Sequence, residues 1–194
     1  MLPPNLRDYY LEIRCPRCAG RARWEEPFEI ADPSRGQVPG GSEDEGYAKW
    51  GGWRVREKFP TLLRWTEPRR GQGWAHYTQG VVRCSACHFV GLHRLRWPGD
   101  AFFRWNVRGT PLWAWHAEHA RVLHDYIAAR VRDPFRYPDP YPKSLQRLPK
   151  DVLAGRNRER VSKQIAATLA EAGLALDPPL RPPRAVHGMT HQAG

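Results

Sequence analysis

Two Cys-x-x-Cys pairs, Cys15-Pro16-Arg17-Cys18 and Cys84-Ser85-Ala86-Cys87, hold all four cysteines of the chain and constrain its fold more than any other feature. Two thiolates at this spacing grip one ion from a tight turn, and two such turns complete the four-sulfur tetrahedron that structural zinc prefers. A shell filled in this way has no open position for water or substrate, so the zinc it predicts is structural and not catalytic. The 65 residues between Cys18 and Cys84 far exceed the about 15 to 20 that separate the pairs of a compact ribbon, so an insertion must sit between the turns. Closing so long a loop is tolerable, because loop entropy grows only logarithmically with length.

Other uses of the thiols fit less well. Disulfides belong to oxidising compartments, but residues 1–10 include Pro3, Pro4, Arg7 and Asp8 and lack the apolar stretch of an export signal. A cytoplasmic location is therefore expected. Redox chemistry needs one Cys-x-x-Cys pair, and the chain has two. Cys84-Ser85-Ala86-Cys87-His88 matches the c-type haem attachment pattern, but haem would leave Cys15 and Cys18 without a role. His116-Ala117-Glu118 resembles the His-x-Glu of zinc deaminases, yet there it precedes a Pro-Cys-x-x-Cys, whereas here both cysteine pairs come first and Arg83 stands where the proline would be. His116, His119 and His124 are expected as partly exposed helix residues, and His76, His88 and His93 as ligands only if a cysteine were missing. No Gly-rich phosphate loop, nucleophile elbow or paired carboxylates are visible, so no enzymatic activity is expected.

The pattern around the cysteines predicts an α+β fold. Tyr9 to Arg14 and Gly20 to Trp24 read as strands flanking the first turn, and Val81 to Arg83 and Val90 to Trp97 as strands flanking the second. Gly20 and Gly91 are the expected left-handed residues of the two turns. Within the insertion, about residues 25–80, Asp32 to Gly46 is rich in Pro, Gly, Ser and acids and reads as a mobile loop. Trp50, Trp53, Val55, Phe59, Leu62, Leu63 and Trp65 predict short strands or turns packed on the ribbon. Ala101 to Trp115 reads as a hairpin about Arg108-Gly109, with Trp105 facing Leu112 and Arg104 facing Trp113. Helices follow over about Trp115–Arg132, with Ala120, Leu123, Ile127 and Val131 as its stripe, and about Asn157–Ala172, with Val161, Ile165 and Leu169. Between them, Arg136 to Pro149 is punctuated by prolines and is expected to run extended. The resulting division is 1–115 for the ribbon, insertion and hairpin, 116–176 for a helical extension, and 177–194 for a disordered tail.

A formal charge of +11 and a pI near 10.0 would suit a polyanionic partner, because basic side chains displace counterions from phosphate backbones. Arginine outnumbers lysine 26 to 5, which a GC-rich coding sequence would also produce, so both explanations stay open. The excess is not uniform: residues 1–45 carry six basic and nine acidic side chains, and residues 46–100 carry ten and three. In that second stretch Arg54, Arg56, Lys58, Arg64, Arg69 and Arg70 are interleaved with aromatics. Such mixing suits base stacking together with phosphate contact, but cation–π packing at a protein surface is the commoner explanation. No apolar run reaches the length of a membrane span.

The paired cysteine turns, Leu112-Trp113-Ala114-Trp115, the helix with His119, Leu123, Tyr126 and Ile127, Leu148-Pro149-Lys150, and Asn157-Arg158-Glu159-Arg160-Val161 resemble a group of bacterial zinc-ribbon proteins akin to the transcription-factor-IIB ribbon. The resemblance spans most of residues 9–172 and implies a zinc ribbon of β-hairpins with a lean toward nucleic-acid machinery. The reading is thus a zinc-stabilised, non-catalytic module holding one ion on Cys15, Cys18, Cys84 and Cys87. Nucleic acid would be met through Arg104, Arg108, Arg156, Arg158, Arg160 and Lys163. The alternative is a protein-interaction adaptor whose tryptophans and proline-rich stretches dock onto a larger assembly.

Overall fold

The computed structural model describes residues 10–31, 47–50, 53–67, 79–174 and 176. The loop expected over Asp32–Gly46, the tail expected over 177–194, and Arg69, Arg70 and His76 lie outside the described residues. The chain is α+β, as its pattern predicts.

The two cysteine turns are the tips of two hairpins, β1 (Leu11–Arg14) with β2 (Arg21–Glu25), and β6 (Gln79–Cys84) with β7 (Val90–Arg94). They join into one antiparallel sheet of order β1-β2-β6-β7, because β2 pairs with β6 in the register Ala22↔Cys84 to Glu25↔Val81. Strand alternation sends Leu11, Ile13, Ala22, Trp24 and Val82 into the main core, while the arginines of these strands take the other face. Trp24 lies against Gly80 so closely that a Cβ there would come 2.3 Å from the indole Cε2, and its Nε1–H donates to His93 O at 3.4 Å.

The insertion leaves the sheet after β2 and returns at β6. It forms its own three-stranded sheet, β3 (Phe28–Ala31), β4 (Tyr47–Trp50) and β5 (Trp53–Glu57), in the order β3-β5-β4. Lys58 Nζ reaches back to Glu25 of β2 at 3.0 Å. The described cations of this lobe are largely neutralised inside the chain: Arg56 pairs with Glu29, Arg64 with Glu57 and Lys58 with Glu25.

The hairpin β8 (Arg104–Val107) and β9 (Thr110–Trp113) has the predicted register, Trp105↔Leu112 and Arg104↔Trp113. Arg108 (φ 54°) and Gly109 (φ 86°) both adopt positive φ, as a two-residue turn matching the strand twist requires. Asn106 Oδ1 accepts from Gly109 N–H at 2.7 Å and steadies the arginine in a conformation that glycine or asparagine would ordinarily supply.

Four helices follow the hairpin among the described residues. The first, α1 (Ala117–Ala128), is shorter than its sequence stripe suggests. Arg132 donates to Ile127 O at 3.3 Å and to Leu153 O at 2.6 Å, capping the carbonyls where the helix ends, and Val131 is left 75% exposed. The proline-punctuated stretch does not run extended over the surface. It contains the short helix α2 (Tyr141–Leu145), while a 3₁₀ turn (Pro134–Arg136) leads into it and another short helix, α3 (Lys150–Leu153), follows it. Tyr141 and Leu145 of α2 are fully buried, so burial of a large aromatic and a leucine overrode the proline signal. The last helix, α4 (Gly155–Glu171), buries Val161, Ile165 and Leu169 and stops at Gly173 (φ 70°). There Leu174 N–H returns to Leu169 O at 2.9 Å, a hydrogen-bonded helix stop that a left-handed glycine permits.

Candidate metal centre

The sheet brings the four cysteines together. Their sulfurs all lie within 4.8 Å of one another, with Cys15 and Cys87 3.7 Å apart and Cys18 and Cys84 3.6 Å apart. These contacts run between the two turns, and they are far longer than the about 2.05 Å of a disulfide. Since β2 and β6 are neighbours, the strand-end cysteines Cys15 and Cys84 are buried, while Cys18 is exposed and Cys87 half-buried. The site thus sits at the lip of the sheet, rooted on one side and open on the other.

Both turns are built alike. Cys15 N–H donates to Gly20 O at 2.7 Å, and Cys84 N–H to Phe89 O at 2.9 Å, each closing the loop over the same number of residues. The residue after the second cysteine is left-handed in both, Ala19 (φ 59°) and His88 (φ 55°). The expected left-handed glycines are therefore displaced: neither Gly20 nor Gly91 carries a positive φ. Gly20 is needed for space, because a Cβ there would stand 3.3 Å from Cys18 Sγ and 3.6 Å from the Ala86 Cβ.

Main-chain amides converge on the sulfurs. Arg17 N–H points to Cys15 Sγ at 3.4 Å. Burial disfavours ionisation of Cys84, but the amides of Cys87 and Ala86 outweigh it and bring its thiol down to about 7. At Cys18 the Gly20 amide favours the thiolate, yet the three neighbouring sulfurs and desolvation together push it up to about 12. Four thiolates this close repel one another, and a cation among them is what lets all four ionise.

The histidines are elsewhere. His88 is exposed on the second turn, and the haem-like reading of Cys84 to His88 fails because both cysteines are committed to the four-sulfur cluster. His93 Nε2 meets Asp100 Oδ2 at 2.9 Å. His116 and His119 are buried at 4% and 3% exposure, correcting the expectation that they lie partly in solvent. His116 caps α1 by accepting His119 N–H at 3.4 Å, and Glu12 Oε2 accepts Ala117 N–H at 2.8 Å. No sequence pattern singles out Glu12, since only the fold lays β1 against the start of α1.

His119 Nε2 lies 3.0 Å from Ser144 Oγ, a pair that looks like a nucleophile and its base. The backbone rules that out. Trp115 N–H donates to Nδ1 at 3.2 Å, so the ring proton sits on Nε2 and is given to the serine, whose own hydroxyl donates to Tyr141 O at 2.8 Å. Nε2 has no lone pair free to take a proton from Ser144.

The basic residues named from the sequence divide between two faces. Arg104 and Arg108 are exposed on β8 and its turn, opposite Trp105, whose indole reaches Thr168 of α4. Arg156 and Arg160 are exposed on α4 itself. Because α4 covers the Trp105 side of the hairpin, the two pairs point away from each other. Arg158 is half-buried with its Nε lacking a partner among the described residues, and Lys163 is held by Glu159 at 2.7 Å.

No protein-family model matches the chain, and no match is found among curated proteins or solved structures. Among the described residues no helix is long and apolar enough to cross a membrane.

Proposed function

We propose that this chain is a zinc-stabilised, non-catalytic binding module that contacts nucleic acid through arginines. The cluster of four sulfurs carries the zinc reading. A tetrahedron with zinc–sulfur bonds of about 2.3 Å has sulfur–sulfur edges of about 3.8 Å, against the 3.6 and 3.7 Å of the two short contacts. When bound, the ion would close Cys15, Cys18, Cys84 and Cys87 into one staple between the two hairpins, its positive charge offsetting part of the repulsion among the four thiolates. The Nε2–H tautomer of His119 supports a non-catalytic role for the buried His119–Ser144 pair.

For nucleic acid the support is the charge of +11 and its placement. Arg56, Lys58 and Arg64 of the lobe are spent on internal carboxylates, whereas Arg104, Arg108, Arg156 and Arg160 are exposed. Binding to mixed-sequence DNA and RNA, followed by fluorescence anisotropy across a salt series, tests the reading. Affinity should fall steeply with salt, with a slope set by the phosphates contacted, and Arg156→Glu with Arg160→Glu should flatten it. Salt-insensitive or absent binding overturns nucleic-acid contact and leaves the adaptor reading, which predicts a nuclease-resistant protein partner.

A further inference from the structure

The sheet that carries the metal centre has two edges, and they are treated differently. The β1 edge is closed: Glu12 N–H donates to Trp115 O, Phe102 N–H to Glu12 O, and Arg14 N–H to Asp100 O, all within 3.0 Å. The β7 edge is open. Cys84 N–H bonds Phe89 O, and with the register Val82↔Gly91 and Gly80↔His93 the alternate residues Phe89, Gly91 and His93 turn their main chain inward to β6. Val90, Leu92 and Arg94 then turn theirs outward. Among the described residues nothing pairs with these outward groups.

Their side chains reinforce the point. Val90 is 54% and Leu92 39% exposed, an apolar alternation on an edge with no proline, lysine or bulge to blunt it, which soluble proteins ordinarily avoid. The surrounding face is basic. Arg23, Arg83 and Val90 form one row across the sheet, Glu25, Val81 and Leu92 the next, and Arg94 ends the row beyond. Glu25, in the middle row, is already held by Arg23 at 3.1 Å, Lys58 at 3.0 Å and Arg83 at 3.8 Å. Arg94 has no acidic partner among the described residues.

We propose that β7 is a docking edge for an extended acidic peptide segment of a partner protein. Such a segment adds a fifth strand, taking the outward main-chain groups of Val90, Leu92 and Arg94. Val90, Leu92 and Arg94 share one face of the sheet, so on that face the segment's apolar side chains lie beside Val90 and Leu92 and a carboxylate two residues further along meets Arg94. A nucleic-acid strand makes no use of two exposed aliphatic side chains or of an unpaired ladder. A second copy of this chain brings the same positive excess to the joint. The inference stands on the sheet edge and is independent of the arginines assigned above to nucleic acid.

The test uses the full-length, zinc-loaded chain and two capped hexapeptides, Val-Thr-Val-Thr-Glu-Thr and Val-Thr-Val-Thr-Lys-Thr, whose valines and charged residue share one face of an added strand. Amide chemical shifts and hydrogen exchange are read along the sheet. The acidic peptide should shift and protect Val90, Leu92 and Arg94, and the basic one should not. Leu92→Asn, at an exposed position, removes the apolar contact without adding charge and should weaken the acidic peptide about tenfold with metal content unchanged. Three results overturn the proposal: no protection by the acidic peptide at millimolar concentration, equal protection by both peptides, or protection that grows with protein concentration alone, which would make the edge a joint between copies. An oligothymidine producing the same footprint, displaced by salt and indifferent to Leu92→Asn, would overturn it as well, by making this face a phosphate surface.

Discussion

The indole N–H of Trp105 in the hairpin donates to Oγ1 of Thr168 in α4 across 2.9 Å, and Thr168 passes its own proton to Gln164 O at 3.0 Å. Trp105 is 7% exposed, so its N–H has little water to turn to if the acceptor is lost. Thr168→Val keeps the shape and removes the oxygen, and is expected to cost about 1–3 kcal/mol. Thr168→Ser keeps the acceptor and should lie near wild type. Chemical denaturation of the two variants side by side measures the difference.

The chain should bind one zinc per molecule, and stability should depend on it. Ligation by paired cysteine turns is worth about 10–16 kcal/mol of apparent binding energy in small zinc domains, comparable to the whole stability of a domain. Chelation, or Cys84→Ser, is therefore expected to abolish cooperative unfolding of the β1-β2-β6-β7 sheet. Metal analysis together with near-ultraviolet circular dichroism, which reports on buried Trp24 and Trp115, follows both losses in one titration.

Stability should fall as pH drops below about 6.5. Burial lowers His119 well below its ordinary value of 6.5, with His116 beside it acting the same way. Burial also lowers His116, partly opposed by Glu118. Both stay neutral in the folded chain and take up protons on unfolding, so their contribution is intact above about 6.5 and is lost progressively as pH falls from there toward their lower folded-state values. Their ring neighbours, Tyr10, Trp115 and Tyr141, bring no compensating negative charge. Glu12 acts in the opposite sense, since burial raises it above 4.5 against the pull of the Ala117 amide and Arg21. Denaturation midpoints between pH 7 and 5 should decline, and His119→Gln should flatten the decline.

Two glycines should respond with opposite signs. Gly80→Ala drives a methyl into the Trp24 ring and is expected to destabilise by about 1–3 kcal/mol. Gly155, at the start of α4, has open space where a methyl would point, with no neighbour within 4 Å, and alanine there should stabilise by about 0.4–1 kcal/mol through the unfolded chain. Thermal unfolding of both variants separates crowding from backbone freedom.

Features governed by local chemistry were legible in the chain. The cysteine pairs announce their turns, Arg108-Gly109 sets the hairpin register, and the Val161, Ile165 and Leu169 stripe marks α4. What was not legible depends on contacts across the sequence. Prolines 138, 140 and 142 signal an extended path, but Tyr141 and Leu145 gain more from burial, and two prolines sit at the start of α2, where a missing amide costs nothing. His119 reads as a surface helix residue until α2 folds over it. The turn geometry fell on Ala19 and His88 because the left-handed position is set by its distance from the second cysteine, not by which residue adopts it most cheaply.

Glu25 and Val81 stand opposite each other in neighbouring strands, so the insertion begins and ends at the same place. A chain that leaves and re-enters at one ladder rung can be cut out and rejoined by a short turn, or exchanged for another segment, without moving either cysteine hairpin. In evolutionary terms the β2–β6 junction is a grafting point: the ribbon can be inherited unchanged while the cargo between residues 25 and 81 is rewritten.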